Sequence, residues 1–214
     1  MHFFKLNEYP QSNADTEFSE EDGYNQGDAD QCEQCGAYVS MLRWLPPYRV
    51  TLELFGERFG DFVFGTGNDF LVSQKFRDVY FRTRLTGLTG FDIVTVTNIK
   101  SMRVPRHKSF PQPPAYFRVC PVRGEAAIDI VASGLEWEKP PTCPRCKTGI
   151  KKRWKRLVLE QGTWTGEDVF APRGLSCIMV TQRFKDACEQ NGITNAVFIP
   201  AESAGHDFYP GEKD

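Results

Sequence analysis

Four cysteines carry the most specific chemistry in this sequence. Cys32-Glu-Gln-Cys35-Gly36 and Cys143-Pro-Arg-Cys146 both leave two residues between their thiols. Thiolates so spaced can each reach a shared tetrahedral ion at about 2.3 Å. Gly36 suits the turn after the second thiol, because glycine adopts positive φ at no steric cost. The second pair departs from that pattern: Lys147 follows Cys146 and the nearest glycine is Gly149, with Pro144 restricting the turn. Four sulfur ligands leave no position for water, so the expected ion is one structural zinc per chain. The pairs lie roughly a hundred residues apart, far more than in a compact zinc ribbon. A shared ion would therefore tie the N-terminal segment to a distant part of the chain. Structural zinc in peptides is worth about 10–16 kcal/mol apparent at pH 7, and a fraction of that would decide where the segment docks.

Other chemistries are weaker. A redox dithiol needs its pair at a helix N-terminus, where a thiol pKa falls. Cys143 instead follows Lys139-Pro-Pro-Thr142. Disulfides would need an oxidising compartment. Cys120, Cys177 and Cys188 sit in or beside apolar patterns and read as core thiols. His2, His107 and His206 accompany no metal or nucleophile motif. The glycines make no phosphate loop or dinucleotide fingerprint. Glu167 and Asp168 are neighbours, so on a strand they diverge and make a poor acid–base pair. No catalytic residues are expected. Lys151, Lys152, Arg153, Lys155 and Arg156 surround Trp154, a pattern that also fits single-stranded nucleic acid. It fits a solvated turn, a protein contact or neutralisation by the acidic N-terminal segment as well.

The elements that must position these groups are short. The chain has 214 residues, 40% hydrophobic and 25% charged, with 17 Phe, which fits a globular protein with a ring-rich core. A net charge of −2 points to neither nucleic acid nor an anionic membrane. No apolar run approaches the roughly 20 residues of a membrane span, and MHFFKLNEYP does not read as a signal peptide. A cytoplasmic protein without membrane contact is expected. Strand signals fall at His2–Leu6, Ala37–Leu42, Arg49–Phe55, Phe91–Thr97, Ala115–Val119 and Leu157–Glu160. No Lys or Arg occurs between Lys5 and Arg43, a stretch rich in Asp and Glu; 10–31 reads as a loop or a partly disordered segment.

A weak internal repeat organises the rest. VFGTGNDFLVSQKFRDV runs from Val63 to Val79 and VFAPRGLSCIMVTQRFKDA from Val169 to Ala187. In each copy a strand meets a hydroxyl N-cap, Ser73 or Thr181, worth about 1 kcal/mol. Phe76 and Val79, or Phe184 and Ala187, then share the buried helix face. A further strand follows each helix. The expectation is an α/β or α+β fold with two related strand–helix–strand units, mixed sheet and a four-cysteine zinc clamp. It is a single compact unit, 1–214. Residues 1–56 plus 135–165 form the clamped portion, 57–100 and 163–201 the repeats, and 202–214 a flexible tail.

Taken together, these motifs resemble the double-CXXCG motif family of bacterial proteins, immunity proteins to swapped, contact-delivered toxins. The likeness runs through FFKL (Phe3–Leu6), CEQCG (Cys32–Gly36), WLPPYRVTLEL (Trp44–Leu54) and GDFVFGTGNDFLVS (Gly60–Ser73). It continues through LTGLTGF (Leu85–Phe91), PPTCPRC (Pro140–Cys146), GTWTGEDVF (Gly162–Phe170), PRGL (Pro172–Leu175) and RFKD (Arg183–Asp186). It covers nearly the whole chain up to Ala201. The resemblance implies a protein without catalytic residues that binds and blocks a cognate protein toxin inside the recipient cell. Asp15, Glu17, Glu20, Glu21, Asp22, Asp28 and Asp30 are the expected partner-binding carboxylates, since charge complementarity speeds association. The rival expectation is a zinc-ribbon-type nucleic-acid binder built on the run around Trp154.

Overall fold

The computed structural model describes residues 2–10, 12–20, 25–65, 67, 69–102 and 112–208. Strands dominate, and two α-helices and a short 3-10 helix (Ala201–Ser203) occur among the described residues. Six strands form a mixed sheet: β2 (Thr16–Glu20), β5 (Arg49–Leu54), β6 (Phe62–Val63), β7 (Phe70–Ser73), β8 (Leu88–Ser101) and β9 (Tyr116–Pro121), in the order β2-β5-β8-β9-β7-β6. β5 and β8 run parallel, and the other neighbours are antiparallel. An antiparallel sheet of four strands contains β1 (Phe3–Asn7), β12 (Val169–Phe170), β13 (Ile178–Thr181) and β14 (Val197–Pro200), in the order β12-β13-β1-β14. Smaller sheets join β3 (Asn25–Gly27) to β4 (Arg43–Leu45), and β10 (Glu136–Lys139) to β11 (Ile150–Trp154) to β15 (His206–Asp207).

Alternation along β1 explains its place. Phe4 and Leu6 enter a core with Phe62, Phe76, Val180 and Phe184, while Phe3 enters a second core with Trp154, Phe170 and Met179. Successive strand side chains face opposite ways, so a strand apolar on both faces belongs between two layers. A third core lies on β2 and β5, where Phe18, Leu52 and Tyr116 meet Trp44.

Both helices start as the hydroxyls dictate. Ser73 accepts from the N–H of Phe76 at the start of α1 (Gln74–Arg82), and Thr181 accepts from Phe184 at the start of α2 (Gln182–Gln190). Phe76 and Phe184 are fully buried, with ring centroids 5.8 Å apart. β7 leads into α1 and then β8, with β9 lying between those two strands; β13 leads into α2 and then β14, with β1 lying between them.

Two aspartates fix these junctions. Ser73 Oγ donates to Asp61 Oδ1 (2.6 Å), and Thr181 Oγ1 donates to Asp168 Oδ1 (2.9 Å). With its proton committed, each hydroxyl turns a lone pair to the helix. The other oxygen of Asp61 accepts from the N–H and hydroxyl of Thr194 beyond α2; that of Asp168 accepts from the N–H and hydroxyl of Thr86 beyond α1. Each hairpin thus holds the exit of the other helix. Asp168 also meets Arg183 at 2.8 Å, and Asp61 meets Lys75 at 3.3 Å.

Several stretches differ from the sequence reading. Ala37–Leu42 is no strand: Tyr38 makes one bridge with Gln31, and Tyr38, Met41 and Leu42 are exposed. Leu157–Glu160 contributes a single bridge, at Leu159. Within 10–31, read as a loop, β2 and β3 form. His206–Asp207, in the stretch expected as a tail, pairs with β11.

Candidate metal centre

The first cysteine pair lies in the connection between β3 and β4, the second between β10 and β11. Each is a tight turn closed by backbone bonds. Gly36 N–H donates to Cys32 O (2.8 Å) and Cys32 N–H to Ala37 O (2.8 Å); Lys147 N–H donates to Cys143 O (3.0 Å). Asp30 braces the first turn, accepting from the side chain of Arg43 and from Val39 N–H, while its own N–H donates to Ser40 Oγ (2.7 Å).

These turns bring four sulfurs together. Cys32 and Cys143 Sγ are 3.9 Å apart, Cys35 and Cys146 Sγ 3.7 Å apart, and all four lie within 4.8 Å of one another. Sulfurs about 2.3 Å from a common ion sit about 3.8 Å apart along a tetrahedron's edges. The donor set therefore fits a closed metal site. Cys32, Cys143 and Cys146 are buried, Cys35 is exposed, and all four are free thiols. Among the described residues, no hydrogen bond besides these sulfur pairs joins 28–42 to 141–149.

The missing second glycine is accommodated. Gly36 (φ 72°) and Lys147 (φ 53°) both adopt the left-handed conformation after the second thiol. A lysine there is strained. Its side chain is buried and anchored, donating to Ile128 O (2.9 Å) and pairing with Glu160. That anchor was not readable from the motif.

Without metal the thiols share protons unevenly. The N–H of Gln34 holds Cys32 below the ordinary thiol range. The Ala37 N–H favours the Cys35 thiolate, but burial and proton sharing with Cys143, Cys146 and Cys32 push Cys35 up to about 12. Burial opposes ionisation of Cys146, yet the Thr148 hydroxyl and N–H, with Cys35 and Cys143, bring it to about 7.

The expected partner-binding carboxylates are scattered. Asp15 is buried, Glu17 and Glu20 are half-buried on β2, Asp28 is exposed, Asp30 is in the metal-side brace, and Glu21 and Asp22 lie outside the described residues. Among the described residues, Arg153 of the basic run pairs with Glu136, and Lys147, just before the run, pairs with Glu160. Trp154 is buried, its indole N–H on Ala204 O (2.8 Å) and its ring against His206 and Phe208. It is not an open platform for a base. His107 lies outside the described residues. Glu167 and Asp168 diverge in role: Asp168 belongs to the helix junction, while Glu167 accepts from the Thr165 hydroxyl (2.5 Å). No helix of the described residues is long and apolar enough to cross a membrane.

Compared with known proteins, the chain matches no family model and no curated sequence.

Proposed function

We propose that this chain is a cytoplasmic immunity protein that neutralises a toxin by stoichiometric binding, with one structural zinc ion holding its N-terminal segment in place. The carrying observation is the closed cluster of four sulfurs. It offers four ligands and no open position, which is the arrangement of structural rather than catalytic zinc. Sequence resemblance to the double-CXXCG immunity proteins supplies the class of partner.

The surface supports a basic partner. Glu17 on β2 sits directly opposite Glu53 on β5. Like charges so placed destabilise a sheet. Burial, then the charges of Glu8, Asp15 and Glu53, raises the Glu17 carboxyl above its ordinary range. A cationic toxin surface would relieve that repulsion. The decisive experiment expresses the chain together with the toxin-like product encoded beside its gene. Host survival only when the chain is present supports the reading, and survival without it overturns the reading.

The two helix-bearing regions are further read as copies of one unit. Hairpin, capped helix and following strand recur, and the sheet order β6-β7-β9-β8 matches β12-β13-β1-β14. On this reading β1 fills in the second copy the position β9 fills in the first.

A further inference from the structure

A cavity of about 530 Å³ opens beside the metal centre, between the 30–41 segment and the loops around Gly124, Lys147 and Gly174. That volume falls within the range of about 300–1,000 Å³ of ligand sites. Five cations line it against Asp30, Glu33 and the four-thiolate centre, whose Cys32 and Cys146 also reach it and which would carry a net charge of about −2 with zinc bound. Three of the five are engaged, Arg145 and Arg173 by Glu125 and Lys147 by Glu160. Asp30 is already taken by Arg43.

Arg123 and Lys151 remain. Among the described residues neither has a carboxylate within ion-pair distance; Lys151 lies over the Trp137 ring at 5.5 Å. Both side chains are half-buried, and burial disfavours the charged form of each. A lysine can answer burial by losing its proton, but a guanidinium keeps its charge. Asp30 offsets part of the burial penalty for Arg123 without pairing with it; a half-buried cation short of a paired carboxylate is unfavourable, and an incoming anion lowers that cost. Apolar groups line the same cavity: Tyr38, Val39, Met41 and Leu175. Tyr38 and Met41 are exposed at its edge.

We propose that this cavity binds a carboxylate borne on an apolar body, with Arg123 and Lys151 holding the charge and Tyr38, Met41 and Leu175 covering the body. The site is independent of the immunity reading. A free organic acid and an acidic side chain within a polypeptide present the same chemistry, so the test carries an arm for each.

The zinc-loaded full chain is titrated calorimetrically with 3-phenylpropionate and its neutral amide. It is then titrated with a capped peptide bearing one Asp between Leu and Phe, and with the Asn version. The acid form should bind about tenfold or more tighter than its neutral twin in at least one arm, since hydrogen bonds to charged groups are the stronger kind. The tighter arm identifies the source. R123M and K151M should each remove that preference, whereas K185M on α2 should keep it. Unchanged melting curves and zinc content show that the variants are folded. Equal binding of acid and neutral forms, a preference that survives R123M and K151M, or no binding in either arm at 10 mM overturns the proposal.

Discussion

Chelation tests the cluster most directly, because so little else among the described residues holds the first cysteine turn to the body. Four backbone N–H groups in that segment are bonded locally: Asp30 to Ser40 Oγ, Cys32 to Ala37 O, Gly36 to Cys32 O and Val39 to Asp30 O. Among the described residues, the apolar side chains packed on the cluster are Ala37 and Val39, both half-buried. Burying a valine completely is worth about 1.5–3 kcal/mol, so this packing supplies less. Holding a segment of this length costs about 1–2 kcal/mol of backbone entropy per residue, which the packing does not offset. Structural zinc at about 10–16 kcal/mol, added to the local backbone bonds, reaches only the lower end of that cost, so its removal should release the segment. In hydrogen exchange by mass spectrometry, peptides covering 28–42 should lose at least about 10³-fold protection on chelation, equivalent to about 4 kcal/mol. Peptides from α2 should keep theirs. Metal analysis before chelation should give one zinc per chain. If zinc is gone and 28–42 stays protected, the segment is held by something other than the sulfurs and the reasoning fails.

Further outcomes follow from named groups. Asp168→Asn should lower stability by about 3 kcal/mol in denaturant unfolding, because it strips a buried carboxylate from Thr181, Thr86 and Arg183. Asp61→Asn should cost less, since its cation Lys75 is half exposed and 3.3 Å away. Lys147→Ala should weaken zinc retention in a chelator competition and destabilise the chain by about 2–4 kcal/mol; it keeps a strained φ of 53° while losing the bonds to Ile128 and Glu160. Glu17→Gln should raise the melting temperature at pH 7 and leave it unchanged near pH 3. With its folded pKa raised, Glu17 favours folding as pH falls below that value, and the penalty appears as pH rises through the window above the unfolded pKa near 4.5. The same variant should slow association with a basic toxin.

What the sequence revealed was local. Ser73 and Thr181 announce their helices because an N-cap bond spans three residues, and the cysteine pairs announce a candidate metal site because each turn is self-contained. Ala37–Leu42 misled because Tyr38, Met41 and Leu42 look like a strand's apolar set yet face solvent. Their backbone is shaped by the cysteine turn instead. The aspartate junctions were invisible for the opposite reason. Asp168 and Thr86 are 82 residues apart, and Asp61 and Thr194 are 133 apart. A searchable signal existed: an aspartate 12 or 13 residues before each capping hydroxyl. Arg123 and Lys151 had none, because what marks them is the lack, among the described residues, of a paired carboxylate.

Long separations decide how the molecule closes. β13 and β14 leave a gap that only β1, from the other end of the chain, fills. The cysteines repeat the pattern across 111 residues. Contacts this distant are slow to form, since loop closure must precede any gain from them. The second helix-bearing region therefore depends on the first residues of the chain. Removing residues 1–9 takes Phe4 and Leu6 out of the core and leaves two facing strand edges unpaired. The side chains alone account for about 3–6 kcal/mol, and the lost ladder bonds, at about 0.5–1.5 kcal/mol each, add several more. That rivals the whole stability of a typical domain, about 5–15 kcal/mol. The shortened chain should lose the exchange protection of α2, and a peptide of sequence HFFKLNEY added in trans should restore it. A shortened chain that melts at the same temperature as the full one would show that β13 and β14 close without β1.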